Sequence, residues 1–260
     1  MTSGDIPPTR PPAVLCLHGL SSTPYEMKPL VQALNEAGLT VESPPLLGQE
    51  GEAALQLVRW ADLLTVARRA FDQLAATHER VMIVGSSVGA LLALRVAHER
   101  GSRVAGVVAM GTPLTLGMRR QAMMRLASVL PLAELIPFKG THHGPDVSDP
   151  AVAADLQGAG HIPLNTMASL RQGQVDVCDR IERLSCPVLV LHGRRDHTAP
   201  LSNAYLMMQR LRSPHRRLII YPQSWHILVQ DVEHESVIAD IQGFIADPQG
   251  FTAVGDARPA

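Results

Sequence analysis

Aromatic side chains are scarce: four Phe, three Tyr and two Trp among 260 residues. A recognition surface of stacked rings, as a carbohydrate would need, is therefore not expected. The three cysteines, Cys16, Cys178 and Cys186, form neither a CxxC pair nor an even-numbered disulfide framework, so the expectation is unpaired thiols in a reducing compartment. Charge of one sign is also missing. Lys and Arg total 23 against 24 Asp and Glu, which leaves no broad electropositive face for nucleic acid. The longest uncharged stretch in the apolar middle of the chain, Val104 to Met118, has 15 residues broken by Gly106, Gly111, Pro113 and Gly117. That is too short for a membrane span, so no stable membrane insertion is expected. The first 20 residues lack the basic start, apolar run and cleavage site of a secretion signal, which makes a cytoplasmic location the expectation.

What is present is a globular composition, 46% hydrophobic and 18% charged, on a chain long enough for a substantial core. Apolar runs at Ala13 to Leu17, Leu39 to Glu42, Val81 to Val84, Val104 to Ala109, Pro187 to Leu191 and Leu218 to Tyr221 read as strands. Helical spacing predicts helices after Pro24, over Leu57 to Ala76, from Val88, over Ser202 to Leu211 and over Val237 to Ile245. Strand and helix in alternation predict an α/β fold with a mostly parallel central sheet and helices on both faces. From Gly111 to about Val177 the alternation weakens, with a helical stretch at Met118 to Leu130 broken up by later Pro and Gly. The expected organisation is a core of residues 1–112 and 178–260 with a small inserted cap at 113–177.

The chemistry starts at Gly85-Ser86-Ser87-Val88-Gly89. This is G-x-S-x-G between an apolar strand and a helix, the setting of a nucleophile elbow, and its spacing selects Ser87. A hydroxyl attacks only when a base takes its proton. His226, in the loop after the last strand, is the candidate base, and Asp196, in the loop after Pro187 to Leu191, the candidate acid that orients it. The backbone N–H groups of Leu20, after the first strand, and of Val88, after the serine, are the candidate oxyanion donors. His18 is read as a brace for the Gly19 loop and not as the base. His142, His143 and Asp146 approach metal-ligand spacing but lie in a Gly/Pro-rich run and are read as exposed loop. Neither a phosphate loop nor a dinucleotide fingerprint is present, so no metal and no cofactor are expected.

The segments LCLHGLSSTPYEM, Gly85 to Gly89, VLVLHGRRD and SWH, in this order over nearly the whole chain, resemble the α/β-hydrolase family, specifically small bacterial carboxylesterases and monoacylglycerol lipases. The resemblance implies a triad of Ser87, Asp196 and His226, oxyanion amides at Leu20 and Val88, and cofactor-free cleavage of carboxylic esters. It departs at Leu47-Gly48-Gln49-Glu50-Gly51, where many relatives carry a glycine- and histidine-containing loop. Leu114, Leu116, Met123, Met124, Leu126, Leu130, Leu135, Ile136 and Phe138 supply apolar material for an acyl channel. The expected function is a serine hydrolase of short- to medium-chain acyl esters or monoacylglycerols, acting as monomer or homodimer. Two alternatives stand beside it: acyl transfer or hydrolysis of an amide, thioester or β-diketone, and a non-catalytic binding protein on a hydrolase scaffold.

Overall fold

Strands that are apolar at every position belong in a sheet covered on both faces, because successive side chains point to opposite sides. A computed structural model of the chain describes residues 11–46, 58–115, 137–138, 145–156 and 162–251. It contains a six-stranded sheet of β1 (Ala13–Leu17), β2 (Val41–Glu42), β3 (Val81–Ser86), β4 (Val104–Met110), β7 (Val188–Gly193) and β8 (Arg216–Tyr221). The order is β2-β1-β3-β4-β7-β8, and every neighbouring pair is parallel. The remaining two strands, β5 (Pro137–Phe138) and β6 (Ile162–Pro163), form a separate antiparallel ribbon.

The period of two divides the core. Leu15, Leu17, Ile83, Ala109 and Val190 face one cluster, completed by α2 (Trp60–Ala75), α3 (Val88–Arg100), α5 (Leu164–Cys178) and α6 (Ser202–Arg210). Val14, Cys16, Val84, Val108 and Leu191 face the other, completed by α1 (Lys28–Glu36) and α7 (His234–Ala246). The chain is thus an α/β protein with helices on both faces of a parallel sheet. The chain moves outward from β1 in both directions, to β2 on one side and β3 on the other. That reversal opens a crevice at the carboxyl ends of β1 and β3, where α/β folds place ligands.

Two elements begin or end differently from expectation. The helix after Pro24 opens as a 3-10 turn, Pro24–Met27, because Pro29 has no N–H to extend the ladder backward; α1 proper starts at Lys28. Strand β2 begins at Val41 and not Leu39, because the Leu39 N–H donates to the Leu34 carbonyl (3.1 Å) across Gly38, whose φ is +78°. The helix expected over Met118 to Leu130 and the Leu47 to Gly51 loop lie outside the described residues.

Helix α5, all but its last residue, falls inside the interval 113–177, after the short α4 (Pro150–Asp155), and buries Leu170 and Val177 in the α2/α3 cluster. Its Gly173 permits the approach, since a Cβ there would lie 2.5 Å from the Trp60 ring. Along the outer side of this layer Arg95 pairs with Asp176 and Glu99 (2.6 Å each), and Arg68 also pairs with Glu99. No helix among the described residues is long and apolar enough to cross a membrane.

Gly89 has no room for a side chain. A Cβ added there would sit 2.1 Å from the Leu17 carbonyl oxygen and 2.6 Å from that of His18, both backbone atoms that cannot step aside. Gly89→Ala is expected to destabilise the protein by about 3 kcal/mol or more, read as a lower urea midpoint. An unchanged midpoint would mean that α3 is free to slide away from β1.

Candidate active site

Ser87 sits between β3 and α3 with φ 53° and ψ −117°. Its neighbours make that turn possible: a Cβ on Gly85 would lie 2.3 Å from the Gly89 carbonyl oxygen. Among the described residues only Ser21 (φ 56°) and Ser87 are non-glycine residues with positive φ. Such strain costs on the order of 1–3 kcal/mol per residue and gathers at functional sites. The Ser87 N–H donates to the Met110 carbonyl (2.8 Å) and its carbonyl accepts from Ala90 (3.0 Å), while the residue itself is only half-buried.

Asp196 and His226 meet. His226 Nδ1 donates to Asp196 Oδ2 at 2.7 Å, with side-chain exposures of 8% and 0%. Asp196 Oδ1 accepts from the Thr198 N–H (2.9 Å) and the Ala199 N–H (2.7 Å), which fixes the carboxylate plane. Burial pushes the Asp196 carboxyl upward, but the charge and hydrogen bond of His226, with His192 and the Ala199 N–H, outweigh it and hold the acid below its ordinary range. For His226 burial pushes down, while Asp196, then Asp146 and Glu26, push up further, to about 9.

The end of β4 brings serine and histidine to one place. Met110 holds the Ser87 N–H, and the next residue, Gly111, lies under the imidazole: a Cβ on Gly111 would be 3.0 Å from His226 Nδ1. At β7, Gly193 makes the corresponding allowance, since a Cβ there would be 1.9 Å from the Trp225 carbonyl oxygen.

The loop after β1 closes the other side. His18, 1% exposed, donates from Nδ1 to the Gly19 carbonyl (2.8 Å) and accepts the Leu46 N–H at Nε2 (3.0 Å). Burial lowers its pKa more than Glu26 and the Gly19 carbonyl raise it, which suits a neutral ring that accepts at one nitrogen. The Gly19 N–H points to the Glu26 carboxylate at 3.3 Å, and a Cβ on Gly19 would be 3.5 Å from the Ser87 Cβ. Gly19 therefore lies beside the serine; Leu20, the next residue, is half-buried, and Val88 opens α3, where helix N–H groups are unpaired.

Several participants had no signal in the sequence. His192, 1% exposed, shares its Nε2–H between the Ala199 carbonyl (3.0 Å) and Asp196 Oδ2 (3.3 Å). Its pKa is lowered by burial and by His226, which leaves a neutral spacer behind the acid. Asp231 accepts the Trp225 N–H (2.6 Å), and Glu233 accepts the Ser224 N–H (2.9 Å) and hydroxyl (2.8 Å), so two acids tie the loop carrying His226. Asp146, read from the sequence as exposed loop, is 6% exposed and engages His197 and Thr198. His142 and His143 lie outside the described residues. Burial pushes the Cys16 and Cys186 thiols up, to about 12 and about 11.

The raised His226 value makes a stability prediction with a definite sign. The folded value, about 9, exceeds the unperturbed 6.5, so the protonated ring stabilises the fold fully below about pH 6.5 and loses that contribution as pH rises through about 9. Urea midpoints taken from pH 6.5 to 9.5 are expected to fall in the wild type and to fall less in His226→Gln. Parallel curves for the two proteins would refute the linkage.

Comparison with known proteins agrees with this architecture. The chain is 24% identical over 241 residues to a thermostable monoacylglycerol lipase from Bacillus sp. (strain H-257), covering 92% of each. It is 22% identical over 240 residues to a carboxylesterase of Bacillus subtilis (strain 168), covering 90% of this chain and 92% of that enzyme. The monoacylglycerol lipase of Paleococcus ferrophilus has the same fold, with a TM-score of 0.77 at 20% identity over 92% of this chain and 97% of that one. Residues 9–233 match the hydrolase family described as serine aminopeptidase, S33, and the chain belongs to that family of α/β-fold hydrolases.

Proposed function

We propose that the protein hydrolyses carboxylic esters through an acyl-serine intermediate formed on Ser87. His226 removes the Ser87 proton as the hydroxyl attacks the ester carbonyl, and Asp196 stays ionised and holds the ring with Nδ1–H inward. The Leu20 and Val88 N–H groups receive the oxyanion. His226 then protonates the leaving alcohol, and water, deprotonated by the same ring, releases the acid and restores Ser87. The observation that carries this reading is the strained, half-buried Ser87 between β3 and α3, whose N–H is held by the β4 end that also seats the His226–Asp196 pair. The names of the relatives, a monoacylglycerol lipase and a carboxylesterase, favour monoacylglycerols or other carboxylic esters as substrates.

The interval 113–177, apart from α5, whose Leu170 and Val177 pack against α2 and α3, is assigned to a cap over this crevice, its apolar residues to the acyl chain. The unpaired thiols favour a reducing, cytoplasmic setting.

The test is a fluorophosphonate probe together with panels of esters, amides and thioesters of matched acyl groups. Labelling at Ser87 and faster turnover of esters are expected. Labelling elsewhere, or an amide consumed faster than its ester, would reject the assignment.

A further inference from the structure

The carboxylate of Asp146 is committed to a single loop. It accepts the His197 N–H at 3.1 Å and the Thr198 hydroxyl at 2.7 Å on one oxygen, and His197 Nδ1 lies 2.9 Å from the other. Both residues follow Asp196 directly in sequence. The Asp146 backbone carbonyl does something different: it accepts the N–H groups of His226 (3.1 Å) and Ile227 (3.2 Å). One residue thus grips the loop of the acid with its side chain and the loop of the base with its main chain.

The grip is reinforced on both sides. Two residues on, Ser148 donates its N–H (3.1 Å) and its hydroxyl to Asp231, the same acid that receives the Trp225 N–H. The His197 ring packs edge-on against Trp225, centroids 4.5 Å apart. Neither loop is part of a regular element between Gly193 and Ser202 or between Tyr221 and Leu228, so these tethers stand in for a backbone ladder.

We propose that Asp146 is a positioning residue that holds the Asp196 and His226 loops in register, so that a segment distant from both in sequence sets the geometry of the proton-transfer pair. This rests on the reading of His226 as the base. Charged and titratable groups reach the His226 ring from four directions: Asp196 from the loop after β7, His192 from β7, Asp146 from its own segment, and Glu26 from the Pro24–Met27 turn. Asp146 therefore contributes both geometry and charge, and two substitutions separate them. In Asp146→Asn the amide oxygen can keep the His197 N–H and Thr198 hydroxyl, while the amide nitrogen faces His197 Nδ1, which is able to accept in its other tautomer. Geometry is kept and charge is lost. In Asp146→Ala both are lost.

The experiment measures ester turnover against pH and titrates the His226 ring by NMR in the wild type, D146N and D146A. D146A is expected to lose roughly ten- to a hundredfold in kcat with KM within about twofold, the scale of a misplaced catalytic group. D146N is expected to recover most of that loss. In both variants the His226 titration and the acidic limb of the rate profile move to lower pH, because a negative charge near the imidazolium is gone. Wild-type kcat in D146A, a D146N no better than D146A, or an unmoved His226 titration in both would each overturn the proposal. Should the wild type turn over no acyl substrate, the functional reading fails by itself, and the NMR spectra still decide the role of Asp146: His226 and His197 resonances displaced in D146A but close to wild type in D146N support it, and resonances unmoved in D146A overturn it.

Discussion

Ser87→Ala is expected to lower ester turnover by roughly 10⁴- to 10⁶-fold while leaving the fold intact. The side chain removed is the attacking atom. The backbone bonds that shape the turn, from the Ser87 N–H to Met110 and from Ala90 to the Ser87 carbonyl, do not involve it. Alanine at φ 53° carries the same strain as serine, so the thermal midpoint should hardly move. Ser87→Gly should be equally inactive yet more stable than Ser87→Ala, by about 1 kcal/mol, because glycine adopts positive φ without the Cβ clash. Turnover and calorimetry on the two variants therefore read the hydroxyl and the strain separately. Residual turnover in purified Ser87→Ala near the wild-type rate would remove Ser87 from the mechanism.

The second large effect is Asp196→Asn, expected to cost about 10⁴-fold in kcat. The Thr198 and Ala199 N–H groups demand an oxygen at the Oδ1 position, so an amide must put its nitrogen at the Oδ2 position, facing His226 Nδ1. A donor there forces Nδ1 to accept, and the ring proton moves to Nε2, where it can no longer take the proton from Ser87. The lost charge also lowers the His226 pKa from about 9, so the acidic limb of the surviving activity should shift down. A variant that keeps its wild-type kcat would assign the orienting role to another acid.

The α/β alternation was legible because strands covered on both faces read as unbroken apolar runs, and β1, β3, β4 and β7 have that character. Helix α5 was not. Its sequence, with Gln172, Gly173 and Gln174 in the middle, has little amphipathic signal, and its stability comes from burying Leu170 and Val177 against helices far away in the chain. The pairing of Asp196 with His226 was accessible through motif order, since each follows a strand. The acids around them were not. Asp146 looked like one more polar residue in a Gly/Pro-rich stretch, and Glu26, Asp231 and Glu233 carry no local pattern that separates a buried acceptor from a surface charge.

Sequence alone determined the parallel α/β layout and the candidates Ser87, Asp196, His226, Leu20 and Val88, because strand periodicity and the Gly85 to Gly89 spacing are local properties of the chain. Only the tertiary structure decided that the end of β4 supports both the Ser87 amide and the His226 ring, and that Asp146 bridges the loops of acid and base. Those relations join residues 23 to 115 positions apart in the chain. Hydrogen bonds and close approaches over such separations depend on how the layers pack, which no local pattern of side chains encodes.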